Sequence, residues 1–122
     1  MQIVLIDDEP FLCDVLAVAL RYQGQQVRSC TTGERALALI RSLDPLPDLI
    51  ILDLMLPGMS GPEVYSAIQQ DARLAHIPIL IITATARASA AVQQCATAYV
   101  LYKPFTLEAL LAAISELTGS PA

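Results

Sequence analysis

The chain has 122 residues, a net charge of −5 and an apolar content of 55%, which suits one domain spanning 1–122 with a real core and is too short for two. Its acidic balance argues against direct binding to nucleic acid or anionic membrane, since both need clustered Lys and Arg. No apolar run approaches the roughly 18 residues of a spanning helix.

The first residues, Met1-Gln2-Ile3-Val4-Leu5-Ile6, lack a basic flank and a small-residue cleavage site. An ordinary signal peptide is therefore not expected, and the cytoplasm is the expected compartment. Ile3 to Ile6 reads as a short apolar strand that stops at Asp7-Asp8-Glu9. Pro10 then opens a helix with Phe11, Leu12, Val15, Leu16, Ala19 and Leu20 at helical spacing, ended by Gly24. Gln26 to Cys30 is a second strand, weak enough in hydrophobicity to lie at a sheet edge. Thr31 or Thr32 caps a helix carrying Ala36, Leu37, Ile40 and Leu43, which Asp44-Pro45-Leu46-Pro47 breaks.

Leu49 to Leu52 is a continuous apolar run, as expected of a strand buried on both faces, and it ends on Asp53 and a Pro-Gly turn. A helix with Val64, Ala67 and Ile68 on one face follows, and then a fourth strand, Ile77 to Thr83. The next helix, roughly 86–95, is mostly Ala and Ser, with good propensity but little side-chain area to anchor it, and is expected to be the most mobile element. Tyr99 to Tyr102 is a fifth strand, Lys103-Pro104 a turn, and Leu107, Leu110, Leu111, Ile114 and Leu117 the stripe of a last helix. No repeat, linker or low-complexity segment interrupts this order. Cys13, Cys30 and Cys95 have no metal or disulfide spacing and read as buried reduced thiols. His76 reads as a surface residue.

Strict alternation of strand and helix implies an α/β fold, a doubly wound parallel five-stranded sheet with helices on both faces. The third and fourth strands are the most apolar and the second the least, which fits the flavodoxin-like (βα)5 order 2-1-3-4-5. In that order the ends of strands one, three, four and five surround one crevice, bringing together Asp7, Asp8, Asp53, Thr83 and Lys103. Taken singly, each has a plain explanation: Asp53 could cap a turn, the Asp pair could favour a helix N-terminus, and Thr83 could satisfy a strand end. Three carboxylates at one rim would repel one another unless a cation neutralised them, and an all-oxygen site with few protein ligands suits Mg²⁺. Lys103, the only lysine among seven basic residues, adds a point charge for a phosphoryl oxygen or for Asp53.

The series Ile6-Asp7-Asp8-Glu9-Pro10, Asp53-Leu54-Met55-Leu56-Pro57-Gly58-Met59-Ser60-Gly61, Ile82-Thr83-Ala84 and Lys103-Pro104-Phe105 resembles the receiver domain of two-component response regulators. The resemblance covers nearly the whole chain, with the four motifs in the family's order. It implies that Asp53 is the phosphoacceptor. The donor would be a phosphohistidine on a sensor histidine kinase or a histidine phosphotransfer protein, or a small donor such as acetyl phosphate. It further implies Mg²⁺, with Mn²⁺ able to substitute, at Asp8, Asp53 and the Met55 backbone carbonyl, with Asp7 reaching it through water. The Thr83 hydroxyl, the Ala84 backbone N–H and Lys103 would hold the phosphoryl oxygens. The resemblance also implies that Met55 and Thr85 occupy positions that in the family tune access of the hydrolysing water.

Switching in the family couples the threonine to an aromatic residue three before the lysine. That position here is Val100, and Tyr102 shares its strand face, so Val100 and Tyr102 are the candidate switch positions. Ala96-Thr97 also departs from the family's usual Gly-Ala, and the Thr83–Lys103 segment is shorter than usual. The expected partners are the phosphodonor and a downstream protein target or output domain, with a homodimer left open. An enzyme acting on other molecules is not expected. A receiver that never takes phosphate is the alternative. A haloacid-dehalogenase-like phosphatase is disfavoured because Met55 stands where its general acid would be. An FMN carrier is disfavoured because no Ser/Thr/Gly-rich phosphate loop follows the first strand.

Overall fold

The computed structural model describes residues 1–84, 89–95 and 98–121. Five parallel strands, β1 (Gln2–Ile6), β2 (Gln26–Cys30), β3 (Leu49–Asp53), β4 (Ile79–Thr83) and β5 (Tyr99–Tyr102), form one sheet in the order β2-β1-β3-β4-β5. They alternate with α1 (Pro10–Tyr22), α2 (Gly33–Ser42), α3 (Gly61–Gln70), α4 (Ala90–Gln94) and α5 (Leu107–Thr118). The flavodoxin-like order expected from hydrophobicity is therefore the order found.

The helices divide between the two faces as right-handed crossovers require. Cys13, Leu16, Ala17 and Leu20 of α1 and Leu110, Ala113 and Ile114 of α5 pack with Ile3, Leu5, Leu49, Ile51, Leu80 and Ile82. Helices α2, α3 and α4 cover the alternate residues Val4, Ile6, Ile50, Leu52, Ile79 and Ile81. Side chains of β1 and β3 thus point to both layers in turn, which is why their sequences read as unbroken apolar runs. All five residues of β3 are buried.

Several boundaries move. Strand β4 begins at Ile79 rather than Ile77, because Pro78 has no N–H for the ladder; its carbonyl still accepts from Ile50 N at 3.0 Å. Helix α2 is capped by Thr32, whose hydroxyl accepts from Arg35 N at 3.3 Å, and stops before Leu43. Helix α4 is five residues long and starts after Ser89, whose hydroxyl accepts from Val92 N at 3.2 Å. It is shorter than the stretch expected from propensity; residues 86–88 of that expectation lie outside the described residues, as do Ala96 and Thr97. Cys13 and Cys95 are buried, but Cys30, expected buried, is only half covered, since it ends the edge strand β2. All three are free, and His76 is exposed. No helix among the described residues is long and apolar enough to cross a membrane.

Two glycines shape the connection that leaves Asp53. Gly58 turns the chain with φ +67°, a left-handed conformation that side chains disfavour. A β-carbon at Gly61 would lie 2.6 Å from the Asp53 carbonyl oxygen, so the first turn of α3 can fold back on the end of β3 only without a side chain there. Glu34 of α2 braces the same loop by accepting from Met59 N at 3.0 Å.

Candidate functional site

Strands β1 and β3 are adjacent and in register, Ile6 opposite Leu52, so the residues that follow each emerge side by side at the carboxyl rim. Asp7 is fully buried, Asp53 is 3% exposed, and Asp8 projects to solvent. A carboxylate oxygen from each of the three lies within 4.8 Å of the other two. The three acids that sequence periodicity assigned to one crevice do meet there.

Lys103 faces them from the far side of the sheet's topology. Its backbone N–H donates to the Thr83 carbonyl at 2.8 Å, which extends the β4–β5 ladder one step and fixes where the side chain starts. The ammonium then donates to Asp7 Oδ2 at 2.9 Å, Asp53 Oδ2 at 3.1 Å and Glu9 Oε2 at 3.2 Å. The remaining oxygens of the buried acids are held by backbone: Glu9 N donates to Asp7 Oδ1 and Met55 N to Asp53 Oδ1, both at 3.0 Å. Asp7 is further fixed through its main chain. Its N–H donates to the Cys30 carbonyl at 3.1 Å, and the Cys13 thiol donates to its carbonyl at 3.3 Å.

The titration properties follow from this geometry. Burial pushes the Asp53 carboxyl up from its ordinary value; the Met55 N–H opposes that, the Asp7 charge adds to it, and the hydrogen bond and charge of Lys103 oppose it. Burial alone would lower the Lys103 ammonium, but its hydrogen bonds to Asp7 and Asp53 and their charges prevail and push it up. One ammonium against three clustered acids plus Glu9 leaves the rim negative. Hard carboxylate oxygens in excess of local positive charge are the donor set that a small divalent cation fits.

The other predicted site residues take their places around this centre. Thr83 is buried at the end of β4, one residue beyond the Asp53–Ile82 register pair, and Ala84 follows it, exposed. Met55, whose backbone N–H holds Asp53, has an exposed side chain. Val100 and Tyr102 are half-buried on the same face of β5, against the layer of α2, α3 and α4, with Tyr102 paired to Thr83 and Val100 to Ile81. Thr85 lies outside the described residues. Sequence reasoning quoted Glu9 within its motif but gave it no role, and it did not foresee the Glu34 brace. The signal for Glu9 was its place directly after two acids at a strand end, a position within reach of any cation they gather.

Comparison with known proteins gives a consistent picture. A family model described as the response regulator receiver domain matches residues 3–115. The chain is 37% identical over 119 residues to the DNA-binding dual master transcriptional regulator RpaA of Synechocystis, covering 95% of this chain and 48% of that protein. It is 35% identical over 119 residues to the phosphate regulon transcriptional regulatory protein PhoB of Rhizobium meliloti, covering 95% and 51%. The chain thus spans about half the length of the curated relatives it matches. Among solved structures, a putative response regulator from Chloroflexus aurantiacus superposes with a TM-score of 0.86 at 28% identity, covering 98% of each chain. The chemotaxis protein CheY4 of Vibrio cholerae gives 0.85 at 25%, covering 95% of this chain and 97% of that one.

Proposed function

The chain belongs to the response regulator receiver domain family, and from that premise we propose that Asp53 accepts a phosphoryl group in a two-component phosphorelay. The observation that carries this reading is the joint placement of Asp7, Asp8 and Asp53 within one small oxygen cluster, with the Lys103 ammonium bonded to two of them. An oxygen of the Asp53 carboxylate attacks phosphorus. The P–N bond to the donor imidazole breaks with its electron pair leaving on the ring nitrogen, and an aspartyl phosphate forms. With acetyl phosphate the leaving group is acetate. Water later cleaves the acyl phosphate and returns the carboxylate. The chain acts only on its own phosphoryl group, with no turnover of other substrates.

Asp8, Asp53 and the Met55 carbonyl, with Asp7 behind them, would hold Mg²⁺ or Mn²⁺. When bound, the ion supplies charge neutralisation for the oxygens of the transferring group. Asp7 and Asp53 are held in place by the backbone N–H groups of Glu9 and Met55, so the carboxylates need little rearrangement. Lys103 turns its ammonium to a phosphoryl oxygen, and the Thr83 hydroxyl and Ala84 N–H hold the others. Tyr102, in register with Thr83 on β5, and Val100 on the same face carry the change outward, with Met55 and Thr85 setting how easily water reaches the phosphorus.

The donor is a sensor histidine kinase or a histidine phosphotransfer protein. Phe11, Val15, Val18 and Tyr22 of α1 are exposed large apolar residues, and a cavity of about 540 Å³ between α1 and the β5–α5 loop reaches Lys103. A donor seated there would present its phosphohistidine to Asp53. The receiver of the signal is a downstream protein or an output domain, and the reaction belongs in the cytoplasm, where such kinases expose their histidine. Mass spectrometry after incubation with acetyl phosphate and Mg²⁺ tests the reading. The native chain is expected to gain the mass of one phosphoryl group and Asp53→Asn none; labelling of both, or of neither, refutes the assignment.

A further inference from the structure

An ammonium has three N–H donors, and in this structure all three of those on Lys103 are used, by Asp7, Asp53 and Glu9. A phosphoryl oxygen can be received by Lys103 only if one of these bonds opens. The three are not equivalent. The side chains of Asp7 and Asp53 are 0% and 4% exposed, and Asp7 and Asp53 are each held at their other oxygen by a backbone N–H; the Glu9 side chain is 63% exposed and makes the longest of the three bonds. Breaking the Glu9 contact returns a carboxylate to water, whereas breaking either of the others strands a buried charge.

Glu9 is also out of character for its place in the chain. It is the N-cap residue of α1, where a side chain ordinarily accepts from the first turn, yet it makes no such bond. It reaches instead across to a residue 94 positions away. Resting on the phosphoacceptor reading above, we propose that Glu9 is a positioning residue that stands in for the incoming phosphoryl group, occupying the Lys103 donor that the group must take and giving it up on transfer. In the unmodified chain Glu9 fixes the ammonium over the acids and adds negative charge to the rim. That negative charge, which also offsets part of the Lys103 charge, draws a divalent cation to the cluster. During transfer the same carboxylate competes with the phosphoryl oxygens for Lys103 and repels them.

Removing the charge of Glu9 therefore has two opposite consequences. Mg²⁺ binds more weakly, because a nearby negative charge is gone and Lys103 is less neutralised. Phosphoryl transfer at saturating Mg²⁺ becomes faster, because Lys103 is then held there by a neutral acceptor at most and gives that bond up more readily to the incoming group. Loss of structure alone moves both quantities for the worse, so the split distinguishes the two.

The experiment compares the native chain with Glu9→Gln and Glu9→Asn. The second variant supplies the cap that Glu9 leaves unmade, so it keeps α1 intact should Gln weaken it. Isothermal calorimetry with Mg²⁺ alone is expected to show the dissociation constant rising roughly three- to tenfold in both variants, the scale of one partly screened charge near a divalent ion. With Mg²⁺ saturating, the rate of labelling by acetyl phosphate is expected to rise roughly two- to fivefold over the native chain, the size of a modest change at an exposed charge. An unchanged or slower rate, or an unchanged Mg²⁺ affinity, in a folded variant beside a native chain that labels normally overturns the role of Glu9 alone. A native chain that takes no phosphoryl group overturns the phosphoacceptor reading, and the role of Glu9 with it.

Discussion

Strands β3 and β5 flank the same strand, β4, yet they live in different surroundings. Every residue of β3 is buried, whereas all four of β5 are half-covered. Strand β3 lies under helices on both faces, and the rim acids it helps to place are locked by backbone N–H groups on one side and an ammonium on the other. Strand β5 is an edge strand, roofed on one face by α5 and bordered on the other by the five-residue α4. The proposed phosphoryl chemistry, which needs carboxylates held to a fraction of an ångström, would sit on the sealed strand. The conformational response proposed for Val100 and Tyr102, which needs two packings of similar energy, would be drawn from the thinly covered edge.

The sharpest way to break this comparison is to cut side chains from both strands. Leu52→Ala opens a cavity in a place with no room to collapse and is expected to cost about 3–5 kcal/mol in urea unfolding; a cost near that of an edge-strand truncation would mean β3 is not the rigid element. Hydrogen exchange sharpens it next. Amides of 90–94 are expected to open at roughly 2 kcal/mol less than those of β3, since a single short turn has few buried contacts to break. Equal protection in the two segments would remove the distinction.

A third prediction concerns the cost of the rim itself. Burial holds the Asp53 carboxyl above its ordinary value of 3.8, so the folded state binds that proton more tightly than the unfolded chain does. The stability linked to this group is therefore present below the ordinary value and lost as pH rises through the folded one. Asp53→Asn without divalent metal is expected to be more stable near neutrality, by about 1 kcal/mol, as when a functional charge is removed from a buried site. The gain should vanish as pH falls to the ordinary carboxyl range; a variant less stable at neutral pH would show that Lys103 more than offsets the burial. The smallest effect is expected on β5, where Val100→Ala should cost under about 1 kcal/mol because the residue is already half in solvent. A larger cost, measured in the same urea titration, would make β5 a core strand in energetic terms.

The core strands were readable because residues such as Ile50, Ile51 and Leu52 have only one stable place in a chain folding in water. Helix α4 was legible, but its start was not, because alanine and serine give propensity without area and nothing in the pattern marks where such a helix begins; Ser89 acts as its cap only once Val92 has a core to enter. The Pro78 boundary was available from proline's missing N–H and was passed over. Cys30 looked buried because thiols usually are, but its exposure depends on its standing at the end of the outermost strand. The rim acids, Thr83 and Lys103 were all legible, whereas the hold of Glu9 on Lys103 was not.

Sequence alone determined the alternation of strand and helix and the strand order, and therefore that Asp7, Asp8, Asp53, Thr83 and Lys103 gather at one end of the sheet. Burial of apolar runs leaves few other arrangements. Only the tertiary structure decided which oxygen meets which N–H, and so which contact of Lys103 is free to open. Those bonds join residues up to 96 positions apart and depend on distances of about 3 Å, a precision that residue pattern does not carry and that the packed register of β1, β3 and β5 does.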